Sequence, residues 1–354
     1  MEKLIKNDNC EILVIGAGIT GLLIAYKLQS KGHDVIVIEK DQIGGNSTSK
    51  NTGLIQFSSD TMLHNLIENS SINGVKFYAD CLSAVNEIEE IASNFANKNC
   101  FHRCSSLYLA SNEGDIPTLK KEYKTLISHN FPAIELTKKQ IKEQFRIDKP
   151  YALLTTGDVS IYPYFYTQEL ASYFQKLGGQ LHSGHFLNTK DGTAYLKNDV
   201  TIKYKYIIYA MGYDTARIQP IEGIVKDATY AFFCNPNIKT KDIMVWETAR
   251  PYLYQNTLTS DKIVVGGGDI PLQKSNPNNI HSNIEKIKQS YMEWYGLQEL
   301  EIEESYCNEF FTFIDGIPKY HIEDKSIYMY PYGGNGVVYS LYLANKILQD
   351  FFKK

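Results

Sequence analysis

The hydrophobic pattern changes period within the first forty residues. Glu11 to Ile15 form a short apolar, β-branched run, and Thr20 to Gln29 repeat apolar positions at helical spacing up to a stop near Gly32. Val35 to Ile38 form a second buried-type run that ends at Glu39. Strand, glycine turn, helix and strand in that order predict one βαβ unit with a parallel strand pair.

The same reading extends along the chain. Val75, Tyr78, Leu82, Val85, Ile88, Ile91 and Phe95 recur at helical spacing and predict a long amphipathic helix over 75–95. Ser106 to Ser111 read as a strand, Pro117 to Lys142 as two shorter helices, and Thr167 to Leu177 as a helix stopped by Gly178 and Gly179. Tyr204 to Ala210 and Lys262 to Val265 read as buried strands, the second closed by Gly266, Gly267 and Gly268. Gln273 to Ser282 is expected as a surface loop. Ser326 to Tyr330 is the last strand, and Gly333, Gly334 and Gly336 lead into a final helix to Phe352. Rossmann-like elements at the start, middle and end predict two interleaved domains rather than two in series.

Composition narrows the class. The 354 residues are 43% hydrophobic and 21% charged, enough for two domains with a sizeable core. The net charge of -4 is scattered without a basic stripe, so a nucleic-acid partner is not expected. The six cysteines lack CxxC pairs and are too sparse for a disulfide framework. With no apolar leader before the first strand and no run of about 20 apolar residues, neither export nor membrane integration is expected, and the reading is of a cytoplasmic protein. The histidines show no metal spacing and read as surface or packing residues, so no metal site is expected.

Gly16-Ala17-Gly18-Ile19-Thr20-Gly21 matches GxGxxG between a strand and a helix. Gly16 suits the tight turn, Gly18 lets a diphosphate approach the backbone, and Gly21 lets the helix pack on the strand. The helix N-terminus adds free N–H groups for phosphate. Glu39, about twenty residues on at the end of the second strand, is placed to accept ribose hydroxyls. The motif alone leaves NAD(P) and FAD open. The following stretch, KDQIGGNSTSKNTGLIQF, is rich in small hydroxyl and amide side chains that suit a cofactor-side segment.

Several separated stretches resemble the D-amino-acid oxidase/glycine oxidase superfamily of FAD-dependent oxidoreductases. They are CEILVIGAGITGLLIAYKL, IEKDQIGGNSTSKNTGLIQF, GDVSIYPYFYTQELASYFQKLGGQLH, KYIIYAMGY, TARPYLYQN, KIVVGGGD, FFTFIDGIPKY and YGGNGVVYS, in the family's order over nearly the whole chain. The resemblance implies an α/β (α+β overall) fold, with a Rossmann-type FAD-binding domain from 1–80, 150–225 and 310–354. An interleaved antiparallel-sheet substrate domain would come from 81–149 and 226–309.

It also implies non-covalent FAD. Glu39 and Lys40 would lie near the adenosine ribose. Ser47, Thr48, Ser49, Thr52, Gly53, Leu54 and Gln56 would run past the diphosphate toward the flavin, with Phe57 beside Gln56. Ala210 and Gly212 would close on the cofactor after their strand, and Gly333, Gly334, Asn335, Gly336 and Val337 would face the flavin N1/C2 edge. The family's DGLPYIG-like turn is replaced by Asp315-Gly316-Ile317-Pro318-Lys319-Tyr320, and Cys307 lies near a position where some members attach FAD covalently, about a residue out of register.

The implied activity is oxidation of an amine or amino acid by hydride transfer to flavin N5, with O2 or another carrier as electron acceptor. Oxidation of a 2-hydroxy acid or polyol on the same fold, or flavin binding without turnover, are the alternatives. A substrate carboxylate wants a bidentate arginine, and the chain offers only Arg103, Arg146, Arg217 and Arg250. Arg250 leads into a presumed substrate-domain strand on which Tyr252 and Tyr254 share a face. These three residues are therefore the catalytic candidates, with Arg103 as the second choice for the clamp.

Overall fold

The computed structural model describes residues 1–4, 6–235, 243–259, 262–276 and 279–352. Strand β1 (Asp8–Ile15), helix α1 (Ile19–Ser30) and strand β2 (Val35–Glu39) form the expected βαβ unit. The chain then leaves this layer through β3 (Leu54–Ile55), helix α2 (Gly74–Ala92), β4 (Phe101–Leu109) and β5 (Tyr151–Ile161). It returns with α3 (Pro163–Lys176), β6 (Gln180–Ser183) and β7 (Thr201–Tyr209). A second excursion comprises β8 (Ile224–Cys234), β9 (Ile243–Glu247), β10 (Leu253–Thr259), β11 (Lys262–Pro271), helix α4 (Ile280–Tyr295) and β12 (Ile302–Phe313). Strand β13 (Ser326–Tyr330) and helix α5 (Gly336–Asp350) end the described chain.

The first sheet has a parallel centre in the order β6–β2–β1–β7–β13. All five residues of β2 are buried, as a strand covered on both faces requires. Helices α1, α2, α3 and α5 cover one face. Their apolar sides, such as Leu22, Leu23 and Leu28 of α1 and Phe77, Cys81, Val85 and Ile88 of α2, fill one core cluster with it. Phe311 and Phe313 of β12 reach the other face, so the two layers share a core.

The second sheet runs β12–β8–β11–β10–β9–β4–β5–β3. Its neighbours are antiparallel except β9 and β4, which run parallel. One face is sealed by α4 through Ile287, Tyr291 and Trp294 against Tyr230, Phe232 and Val265. The other face looks toward the first sheet's carboxyl ends, which is where ligands bind in open α/β folds.

Several boundaries differ from expectation. The divisions placed at residues 150 and 310 cut the second sheet, because β5 begins at Tyr151 and β12 runs to Phe313. The division at residue 80 cuts α2, one continuous helix whose buried side packs in the first layer's core. The glycines at 266 to 268 do not close a strand: β11 continues through them to Pro271. A strand, Ala133–Thr137, separates the two helices Ile116–Ser128 and Lys138–Phe145. The expected loop 273–282 starts in a short 3-10 turn and runs into α4 at Ile280, and positions 277–278 lie outside the described residues.

Candidate active site

The three motif glycines do different work. Gly16 has φ +107°, and a Cβ there would stand 2.5 Å from the Ala210 carbonyl oxygen. A Cβ on Gly21 would overlap the Gly16 carbonyl, so both positions are required by the protein's own packing. Gly18 has ordinary φ, and the nearest atom to an added Cβ is Thr48 Oγ1 at 3.3 Å. Its bare backbone instead leaves open the space at the start of α1.

Side chains complete this cradle. Thr48 Oγ1 accepts the Ile19 N–H at 3.1 Å, capping α1 from thirty residues away along the chain. The Glu39 carboxylate accepts from Ala17 N at 2.7 Å and Asp41 N at 2.9 Å. Glu39 is thus first a clip that holds the turn, and each oxygen keeps a further lone-pair site for a ribose hydroxyl. Lys40 pairs with Asp214 at 3.4 Å.

A cavity of about 710 Å³ opens from this cradle to the second sheet. Of the expected cofactor residues, Gly16, Gly18, Ile19, Thr20, Glu39, Lys40, Ser47, Thr48, Thr52, Leu54, Gln56, Ala210, Gly212 and 333–337 line it. Gly21, Ser49 and Gly53 do not. Ser49 turns outward and bonds to the Gly45 and Asn46 carbonyls, and Gly53 packs against the Ile161 carbonyl. Phe57 is buried against Phe131 and Tyr78 instead of facing the cavity. Gln56 does face it, with Nε2 buried and without a partner among the described residues.

At the far end, Gly333 and Gly334 lie against the Asp60 carboxylate, which accepts the Gly334 N–H at 2.9 Å. That N–H is therefore already used by the protein. Asn335 gives α5 no side-chain cap, and its own amide reaches back to the Ser58 carbonyl. The first N–H groups of α5, which lack intrahelical acceptors, open at the cavity beside Gly336 and Val337. Thr20 and Ser340 join α1 to α5 at 2.8 Å, so two helix N-termini converge on one space.

The arginines separate cleanly. Arg103 is held on the surface by Glu89, by Asn86 at 2.8 Å and by the Gly157 carbonyl at 2.6 Å. Arg217 pairs with Asp214 at 2.6 Å, and Arg146 is an exposed left-handed helix cap. Arg250 alone of the four lines the cavity, with its guanidinium 5.1 Å from the Tyr252 ring centre. Tyr252 and Tyr254 line it too, their ring centres 5.7 Å apart. Cys307 lies on the face of β12 turned to the α4 core, away from the cavity.

The sequence reading missed charged and aromatic cavity residues, among them Trp246, Asp60, Asp227 and Asp269. Trp246 stacks on Tyr108 with ring centres 3.7 Å apart. Burial pushes the carboxyls of Asp60, Asp227 and Asp269 upward, Asp269 to about 6, while Arg250 pulls Asp60 and Asp269 back down. Burial also raises the Tyr252 and Tyr254 phenols, so both stay protonated donors at neutral pH. The signal for Asp269 was its position directly after three glycines in a strand; Asp60 and Asp227 carry no motif. Among the described residues there is no metal-binding cluster and no helix long and apolar enough to cross a membrane.

Fit to a dinucleotide of the flavin type rests on this geometry. A ligand with a diphosphate would find the open Gly18 backbone and the α1 N-terminus, and its ribose would find Glu39. A planar ring system at the other end would meet the uncapped N-terminus of α5 and the unpartnered Gln56 amide. The residues present suit such a group at both ends.

Comparison with known proteins agrees. The family model described as FAD dependent oxidoreductase matches residues 11–349. Gamma-glutamylputrescine oxidoreductase of Escherichia coli (strain K12) is 21% identical over 370 residues, covering 98% of this chain and 84% of the relative. The crystal structure of L-proline dehydrogenase from P. horikoshii superposes with a TM-score of 0.79 at 20% identity, covering 98% of this chain and 95% of that one. Glycine oxidase from Geobacillus kaustophilus gives 0.80 at 16% identity, with 97% and 94% covered.

Proposed function

The chain belongs to the DAO family of FAD-dependent oxidoreductases, and on that premise we propose that it oxidises an amine or amino acid with non-covalently held FAD. The observation that carries the substrate reading is Arg250, the one arginine of the four that faces the cavity, set beside Tyr252 and Tyr254. The enzymes it resembles include ones named for gamma-glutamylputrescine, proline and glycine, all of them nitrogen compounds.

FAD would supply, at the flavin N5, the acceptor for one hydride equivalent, that is, two electrons and a proton. The protein's part is placement. Gly18, Thr20 and Glu39 hold the nucleotide end, and the α5 N-terminus favours negative charge on the ring end. Arg250 receives a carboxylate, Tyr252 and Tyr254 donate hydrogen bonds or pack against the substrate, and Trp246 walls off water. Cys307 faces away from the cavity, which supports non-covalent retention.

The test is anaerobic titration of the FAD-loaded protein. Amines or amino acids are expected to bleach the ~450 nm flavin band, with the cofactor released on denaturation. Bleaching by 2-hydroxy acids only would replace this reading with the hydroxy-acid one, and absence of bleaching by every class would leave a flavin-binding protein without turnover. Reoxidation by air, compared with reoxidation by an artificial carrier, separates oxidase from dehydrogenase.

A further inference from the structure

The cavity floor carries more charge than carboxylate capture uses. Alternation along β8 turns Asp227 and Thr229 to the cavity and Ala228 and Tyr230 to the α4 core. The pairing of β8 with β11 slips between Ala228 and Tyr230, opposite Gly267 and Ile270. Such an irregularity re-aims a side chain, and here Asp269 of β11 is in the floor. Thr229 hydrogen-bonds to the Asp269 carboxylate, whose Oδ1 is buried without a partner among the described residues.

Three carboxylates, Asp60, Asp227 and Asp269, thus share this end of the cavity with the Arg250 guanidinium. Lys50, also on the lining, points to Asn308 at 3.4 Å. Clustered carboxylates with a buried, unsatisfied oxygen are unfavourable in their charged form unless they take up protons or a ligand compensates them. Gln56, only 6% exposed, adds a second unpartnered polar group on the same cavity wall. A carboxylate bound to Arg250 alone would worsen the negative excess. A ligand that also brings a cationic nitrogen would relieve it.

The geometry points to Asp269 as the seat of the substrate's ammonium group, opposite Arg250 for its carboxylate, which makes the site selective for zwitterionic amino acids over simple amines. This rests on the amine-oxidation reading above. Asp269 here is a specificity residue: it binds the nitrogen and takes no part in electron transfer. Thr229 fixes its orientation through that hydrogen bond.

The experiment uses FAD-loaded protein and three probes that differ by one group: L-alanine, propionate and ethylamine. Binding is followed by the flavin difference spectrum and by thermal shift, neither of which needs turnover. Wild-type protein is expected to bind alanine more tightly than either partial probe. Asp269→Asn should weaken alanine and ethylamine by roughly 10–100-fold, as loss of a charged hydrogen bond does, and leave propionate within about twofold. Arg250→Met should do the reverse, weakening propionate and sparing ethylamine.

Ethylamine affinity of the wild type should also fall as pH drops through about 6, and Asp269→Asn should abolish that dependence. The charged and titratable groups facing Asp269 are Asp227 from β8, Arg250, Tyr252 and Tyr254 at β10, and Asp60 from the segment after β3. The variant leaves all of them in place. Wild-type protein that binds alanine no tighter than propionate overturns the inference, as does an Asp269→Asn effect equal on all three probes. Asp269→Glu, which keeps the charge, should retain ethylamine binding and guards against a folding artefact. Failure of every amine to bleach the flavin would sink the amine-oxidation reading alone, because these probes report binding without chemistry.

Discussion

Gly266 of β11 lies directly under the Tyr254 ring of β10: a Cβ at 266 would stand 2.7 Å from ring carbon Cε2 and overlap the hydroxyl. The two residues are register partners in the antiparallel pair. Glycine there lets the ring lie flat on the strand, so the phenol stays in the cavity wall.

Gly266→Ala is therefore expected to displace Tyr254 and narrow the substrate end. Overpacking of this kind costs about 1–3 kcal/mol. The melting temperature should fall and the half-saturating substrate concentration rise, while FAD content is kept. Adding Tyr254→Ala should recover the melting temperature but not substrate binding. Recovery of neither would show that the glycine serves the strand backbone and not the ring.

This glycine also shows where sequence reasoning stopped. Gly266 to Gly268 read as a strand terminator because glycine lacks a side chain to pack, yet the strand continues because its neighbour's aromatic ring supplies that packing. The parallel layer was legible because β1, β2, β7 and β13 are short buried runs next to glycine turns, a local signal. The cofactor cradle was legible for the same reason. The floor was not: Asp227 and Asp269 meet only through the β8–β11 register, and Asp60 meets Gly334 across 274 residues of sequence. Arg250 was found by scarcity, since in a lysine-rich chain only four arginines needed to be weighed.

The motif glycines should part under mutation. Gly18→Ala meets only Thr48 Oγ1 at 3.3 Å with an unstrained φ of -71°. The fold should survive, and FAD affinity should drop because the methyl stands where the diphosphate approaches. Gly16→Ala is strained by φ +107° and by the Ala210 carbonyl, and Gly21→Ala by the Gly16 carbonyl. Those two should lose fold and cofactor together. Circular dichroism and the flavin-to-protein absorbance ratio distinguish the patterns, and equal destabilisation by all three would deny Gly18 its cofactor role.

Arg250→Lys keeps the charge and removes the planar fork. A bidentate carboxylate contact depends on that fork, so the lysine variant should raise KM for an amino-acid substrate by roughly 10-fold or more, with a smaller change in kcat. Arg103→Lys, on the surface pair with Glu89, should leave both constants unchanged. A lysine variant with wild-type KM would assign Arg250 to packing on Tyr252.

The raised Asp269 carboxyl gives a stability signature of definite sign. Its folded value is about 6, against about 3.9 for an unfolded aspartate. Below pH ~4 both states hold the proton and Asp269 exacts no penalty. As pH rises from ~4 to ~6 the unfolded state ionises first, so the folded state binds more protons and loses stability with increasing pH, by at most about 3 kcal/mol once the folded pKa is passed. Asp269→Asn removes this term, and its amide oxygen can still accept from Thr229. Ligand-free wild type and variant should thus melt at the same temperature near pH 4, with the variant more stable near pH 7.5. Asp60 and Asp227 repel the Asp269 charge, so its removal also eases their ionisation in the folded variant and adds to the difference with the same sign. Saturating L-alanine at pH 7.5 should then stabilise the wild type more than the variant, closing or reversing the gap, because the bound ammonium compensates the charge that the empty floor leaves exposed to burial. A variant no more stable than wild type at pH 7.5 would mean that Asp269 is already compensated by the protein itself.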